Sequence, residues 1–229
     1  EDNHIIAVVK PAGVLTQPSH KATAGEAQGE CIFDDVKAYL KEKYKKPGNV
    51  FLGLVHRLDR PVSGIILFAK TSKGASRLSE QFRNHEVEKI YQAIVIGKPK
   101  ESRGVLINYL TKDKINFKTI AVSETAIGSA KEARLYYEVI KSSKPFDTAQ
   151  GRYSLLKIKL ETGKFHQIRA QLSFAGYPIL GDIKYGAKNP LPDKSIALCA
   201  TAISFKTATG DETIDLEISL PNKWQDYLK

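Results

Sequence analysis

The sequence predicts an α+β fold built on a mixed, largely antiparallel sheet. Short apolar or alternating runs outnumber helical stripes along the 229 residues, and they do not follow the βαβ order that a parallel sheet needs. A composition of 42% hydrophobic and 26% charged residues is enough for one substantial core. With no internal repeat and no convincing linker, the expectation is a single domain over residues 1–229.

The elements follow from their patterns in order. IIAVVKPAGVLTQP (5–18) is β-rich and is broken by Pro11 and Gly13, as a strand running into a turn would be. ATAGEAQGE (22–30) is small and polar and reads as a loop. Phe33, Val36, Leu40 and Tyr44 recur at helical spacing, Pro47-Gly48 supplies the stop, and the lysines of KEKYKK (41–46) suit a solvated helix C-terminus. LVHRLDRPVSGIILFAK (54–70) contains a second strand-like run. Ala75, Leu78 and Phe82 form a helical stripe capped by Thr71 or Ser72, and IYQAIVIG is a buried strand. GVLINYL, INFKTIAV and ARLYYEVI read as strands with polar turns, and YSLLKIKLETG (153–163) alternates before its Thr-Gly end. A helix is expected from about 165 to 175 with Phe165, Ile168 and Leu172 on one face. Strands IALCATAISF and TIDLEISL and a short last helix complete the chain.

Charge narrows the function. Lys and Arg number 35 against 25 Asp and Glu, a net charge of +10 that favours a polyanionic partner, nucleic acid first. No apolar run approaches a membrane-spanning length, and no basic amphipathic helix with a bulky apolar face is evident. Cys31 and Cys199 stand alone and the histidines are scattered, so neither a disulfide, a metal site nor a bound cofactor is expected. The thiols read as reduced, in a cytoplasmic protein that acts as a monomer.

Three places carry candidate chemistry. Asp59 lies between Arg57 and Arg60 in a largely apolar stretch, where guanidinium neighbours favour an ionised carboxylate. Such a group can act as a nucleophile or a charge stabiliser, although spacing alone fits an ion pair that pins a turn as well. In ETGKFHQIRAQLSFAGYPILGDIKYG (161–186), His166 and Arg169 fall three apart on a polar helix face, which reads as a solvated side or an anion-facing helix start. Tyr91, in KIYQAIVIG, is a phenol in an apolar strand, a core residue unless its hydroxyl is put to use.

HRLDRPVSG (56–64) resembles the catalytic motif of the RluA-type pseudouridine synthases. VVKPAGVLTQP, KIYQAIV and LETGKFHQIRAQLSFAGYPILGDIKYG resemble further segments of that family in the same order, so the likeness spans residues 5–186. It implies the pseudouridine synthase fold, with an active cleft across the middle of its sheet. It also implies isomerisation of uridine in structured ribosomal or transfer RNA without metal or cofactor. By the same resemblance Asp59 is the essential nucleophile or ribose-directed base, Arg169 the arginine that pairs with it, and Tyr91 the tyrosine that stacks on the base. Arg57 is the residue that enters the RNA where the uridine leaves, with Arg60, Lys164 and His166 as further RNA contacts. Flipping a base costs a few kcal/mol, and a cation that fills the vacated place offsets part of it. Lys164 stands where arginine is common in the family, and the small S4-type RNA-binding domain found in many members is expected to be absent. An RNA glycosylase, which would also need one carboxylate near C1′, and a catalytically silent RNA-binding protein of the same fold are the competing readings.

Overall fold

The computed structural model describes residues 1–18, 30–113, 116–122, 130–144 and 152–229. They group into two compact units, Glu1–Val87 with Ile203–Ile218, and Glu88–Ala202 with Ser219–Lys229.

In the first unit, β1 (Ile5–Lys10) and β2 (Gly53–Leu54) both pair antiparallel with β3 (Ser63–Ala69). The register sets Ile5 opposite Ala69 and Lys10 opposite Gly64. IILFA carries no polar interruption because both faces of β3 are covered. Ile65, Leu67 and Ala69 join Ile5, Leu78, Val87, Ile203 and Phe205 in one core, while Phe68 meets Phe33 edge-on at 5.9 Å between centroids. Phe33 lies on α1 (Ile32–Lys43), which buries Val36 and Leu40. Helix α2 (Ser72–Arg83) begins as its sequence predicts, with Thr71 Oγ1 accepting from Gly74 N at 3.1 Å. Gly74 is required there, since a Cβ would stand 2.6 Å from His4 O. The lysines after α1 are exposed, as a solvated helix end should be. Strand β9 (Leu198–Lys206) ends in this unit, where β10 (Thr213–Glu217) pairs with it.

The second unit contains β4 (Glu88–Ile96), β5 (Arg103–Asp113), β6 (Lys118–Val122), β7 (Lys131–Ser142) and β8 (Tyr153–Leu160). With the first part of β9 their order is β9-β4-β8-β7-β5-β6, and the β4/β8, β8/β7, β7/β5 and β5/β6 pairs are antiparallel. The alternation read in YSLLKIKL is visible in β8, where Lys157 and Lys159 are exposed between buried Leu156, Ile158 and Leu160. Helix α3 (Gln167–Phe174) packs through Ala170 into a cluster with Leu110, Ala121, Ala133 and Tyr185, and the small alanines let it approach the strands closely. The Gln171 amide fastens it further by donating to Leu106 O at 3.0 Å and Ala133 O at 3.1 Å. The last helix is a 3₁₀ segment, Asn222–Leu228, that buries Trp224 and Leu228.

Two expectations change. The helix expected from 165 starts at Gln167, because Gln167 Oε1 accepts from Lys164 N at 3.0 Å and ties the preceding turn outside the helix. The strand read in INFKTIAV starts at Lys118, after a turn at 116–117. Most of the polar stretch 22–30 and of the loop 141–152 lies outside the described residues. Among the described residues no helix is long and apolar enough to cross a membrane, no group of metal ligands converges, and Cys31 and Cys199 are buried.

Candidate active site

Asp59 sits in the loop between β2 and β3, and the chain fixes that loop on both sides of it. Thr16, itself buried, donates from Oγ1 to Leu58 O at 2.8 Å and accepts from Leu58 N at 3.2 Å. Gly13 N donates to Arg60 O, and Arg60 Nε returns a hydrogen bond to Gly13 O, each at 2.8 Å. Within the loop, Val62 N donates to Asp59 O at 3.0 Å and closes the turn. His56 Nε2 accepts from Leu67 N at 2.9 Å while its ring stacks on Phe82 at 4.8 Å. The motifs at 8–18 and 56–64 are therefore one structural piece, with the first clamping the second.

Beneath this loop lies Lys10, fully buried. Its ammonium donates to Pro11 O and Val14 O at 2.8 Å and to Arg60 O at 3.3 Å. Burial pushes its pKa down from 10.5 to about 8, against the opposing pull of the Asp59 charge. Lys10 thus adds a cation under the Asp59 loop that the flanking arginines alone do not reveal. Arg57 is exposed and makes no ion pair among the described residues, whereas Arg60 is committed by its Nε to the loop.

The other candidates belong to the second unit. Tyr91 lies on β4 opposite Ile158 and is 8% exposed. Arg169, on α3, is buried and forks onto Asp182, Nε to Oδ2 at 2.7 Å and Nη2 to Oδ1 at 2.8 Å. Its guanidinium carbon lies 4.8 Å from the centre of the Tyr185 ring. Of the two readings of this polar face, a solvated side or an anion-facing helix start, the solvated one does not hold, since Arg169 is interior. Asp182 is aimed by the turn at Gly181, where φ is +85° and an added Cβ would stand 2.7 Å from Leu191 Cγ, so no side chain fits.

His166 is not on the helix. It caps α3 in the left-handed region (φ 52°), with Nδ1 2.8 Å from Tyr185 Oη, which also accepts from Thr119 N at 2.7 Å. Burial, helped by the charges of Arg169 and Lys184, lowers its pKa from 6.5 to about 3, so its ring is neutral near pH 7. The Lys164 side chain is half-buried at the same turn.

A family model described as RNA pseudouridylate synthase matches residues 4–174, a span that includes Lys10, Asp59, Tyr91 and Arg169. The chain belongs to that family. It is 32% identical to tRNA pseudouridine synthase C of Haemophilus ducreyi over 235 residues, covering 98% of this chain and 90% of that one. It is 31% identical to ribosomal large subunit pseudouridine synthase C of Rickettsia typhi over 222 residues, covering 96% and 67%. Among solved structures, Human RNA Pseudouridylate Synthase Domain Containing 4 superposes with a TM-score of 0.75 at 25% identity, covering 100% of this chain and 90% of that one. The fold is the pseudouridine synthase fold and the chain is an RNA pseudouridine synthase.

Sequence reading passed over Lys10, Thr16 and Asp182 in this pseudouridine synthase. Each nevertheless carried a signal: a lysine ending an apolar strand, a threonine in VLTQP, and an acid in the apolar run PILGDI, the same anomaly that drew attention to Asp59.

Proposed function

We propose that this enzyme converts specific uridines of a structured ribosomal or transfer RNA to pseudouridine, acting as a monomer in the cytoplasm without metal or cofactor. Asp59, Tyr91 and Arg169 form the catalytic set on the family motifs. Asp59 acts at C1′ or C2′ of a nucleotide flipped out of its stack, the N1–C1′ bond breaks, and the uracil turns and rejoins C1′ through C5, which then gives up its proton while N1 ends protonated. Substrate and product have the same atoms, so no co-reactant is needed. Arg57 is the cation for the vacated place in the RNA, and its exposure leaves it able to reach there. Arg60 and Lys164 contact the RNA, and His166, held neutral, does so by stacking or hydrogen bonding rather than by charge.

The observation that best supports this reading is the clamped Asp59 loop. A carboxylate that must meet one carbon of a flipped nucleotide needs a backbone that does not wander, and Leu58 and Arg60 are fastened on either side of it. Product analysis after incubation with total RNA tests the reaction. An RNA-bound isomer of unchanged mass supports the proposal, while release of free uracil would identify a glycosylase, and binding without conversion a silent RNA-binding protein. Carbodiimide mapping in cells with and without the enzyme then names the uridine.

A further inference from the structure

At the start of α3, three segments of the second unit are stitched together. Thr119 Oγ1 on β6 donates to Phe165 O at 2.6 Å, Thr119 N donates to Tyr185 Oη, and Lys184 Nζ donates to Phe117 O at 2.6 Å. Around these bonds three large apolar side chains stay in solvent: Phe117 at 63%, Ile183 at 50% and Phe165 at 44% exposure. Single exposed apolar residues are ordinary, but three gathered on one hydrogen-bonded patch mark an interaction surface.

Its charges narrow the partner. Lys112 is exposed with Nζ 5.8 Å from the centre of the Phe165 ring, Lys184 is exposed beside Phe117, and Lys164 is half-buried next to Phe165. Phe165 stacks on the neutral imidazole of His166, ring centres 3.8 Å apart and planes 21° from parallel. Two stacked rings edged by cations suit a ligand with flat faces and regular negative charges. A duplex keeps its bases stacked inside and offers mainly phosphates, so it gains little from an exposed phenyl ring. An unpaired nucleotide gains from both features.

We infer that this patch is a stacking platform for unpaired bases of the substrate RNA. A base extends the His166–Phe165 stack, Phe117 offers a second aromatic surface, and Lys112, Lys164 and Lys184 meet the adjoining phosphates. The inference rests on the RNA-modifying function proposed above and adds the form of RNA that is recognised.

Fluorescence anisotropy with two probes tests it: a labelled oligouridine of about ten nucleotides and a blunt RNA duplex of similar length. Phe117→Ala and Phe165→Ala should each weaken oligouridine binding by roughly 5- to 100-fold and leave duplex binding within about twofold. Tyrosine at either position should restore the oligouridine affinity and leucine should not, which separates stacking from simple apolar contact and from misfolding. The inference is overturned if wild type does not bind oligouridine, if the alanine variants leave its affinity unchanged or weaken both probes equally, or if leucine serves as well as tyrosine. Displacement by poly-glutamate with no effect of either phenylalanine would also overturn it, and would assign the patch to acidic protein segments. Uridine conversion by wild type in total RNA, measured alongside, separates the two claims. Conversion without an effect of the phenylalanines sinks only the platform, whereas no conversion sinks the proposed function.

Discussion

Removing the Thr16 hydroxyl tests whether the clamp on the Asp59 loop sets activity. Thr16→Val keeps the shape of the side chain and deletes both hydrogen bonds to Leu58, the 2.8 Å bond to its carbonyl and the 3.2 Å bond from its amide. Thr16 is 5% exposed and Leu58 6%, so water does not readily replace them. A buried backbone group left unpaired costs about 1–3 kcal/mol, and with partial relaxation of the loop the two together should cost about 2–4 kcal/mol. Thr16→Ser retains the hydroxyl and loses one methyl group, worth about 0.8 kcal/mol. Urea unfolding gives the stability change, and pseudouridine formation in total RNA under identical conditions gives the functional one. Since Leu58 precedes Asp59, displacement of the loop should slow conversion by about tenfold or more, while serine stays near wild type. The reasoning fails if the valine variant unfolds within about 0.5 kcal/mol of wild type at full activity, or if serine is as damaging as valine.

Two further predictions concern the second unit. Arg169→Met strands the Asp182 carboxylate, 1% exposed, and should destabilise the fold by about 3–5 kcal/mol, whereas adding Asp182→Leu should recover most of that loss. Additive losses in urea unfolding would show that the pair does not act as a unit. For His166 the folded pKa of about 3 lies below the ordinary 6.5, so between those values the unfolded chain holds a proton that the folded chain does not. Its contribution to stability is therefore full above about pH 6.5 and is lost as pH falls toward 3, by about 1–2 kcal/mol after solvent screening. His166→Asn, which tolerates the left-handed backbone, should flatten unfolding free energy between those pH values; an unchanged slope would contradict the assignment.

Local patterns in this chain were legible where one short-range rule decides. The Thr71 cap, the stripe through Leu78, the β8 alternation and the unbroken IILFA run all appear in the structure as read. The start of α3 is not legible locally because Phe165 fits the apolar period, yet Gln167 folds back on Lys164 and leaves Phe165 outside the helix and exposed. Spacing alone leaves Arg169 on a side that is either solvated or anion-facing, because charge favours exposure, and the fork to Asp182 that permits its burial joins residues 13 apart through a glycine turn. Lys10 was hidden for a related reason. Its ammonium is satisfied by carbonyls, two of them from the turn that follows it and one from Arg60, 50 residues away. Asp59 could be singled out because an acid between arginines in apolar surroundings is anomalous at any scale, while the clamp that holds it needed the pairing of two distant motifs.

The role of Asp59 in the isomerisation is tested most directly by Asp59→Asn, assayed by carbodiimide mapping of pseudouridine in RNA incubated with the purified protein. Asparagine keeps the outline of the side chain and removes its charge and nucleophilicity. The mapped site should remain uridine, while affinity for that RNA, carried by the basic surface and Arg57, changes by less than about tenfold, roughly 1.4 kcal/mol. Conversion by the asparagine variant at a rate near wild type would contradict the account and leave Asp59 as an acid that only pins its turn.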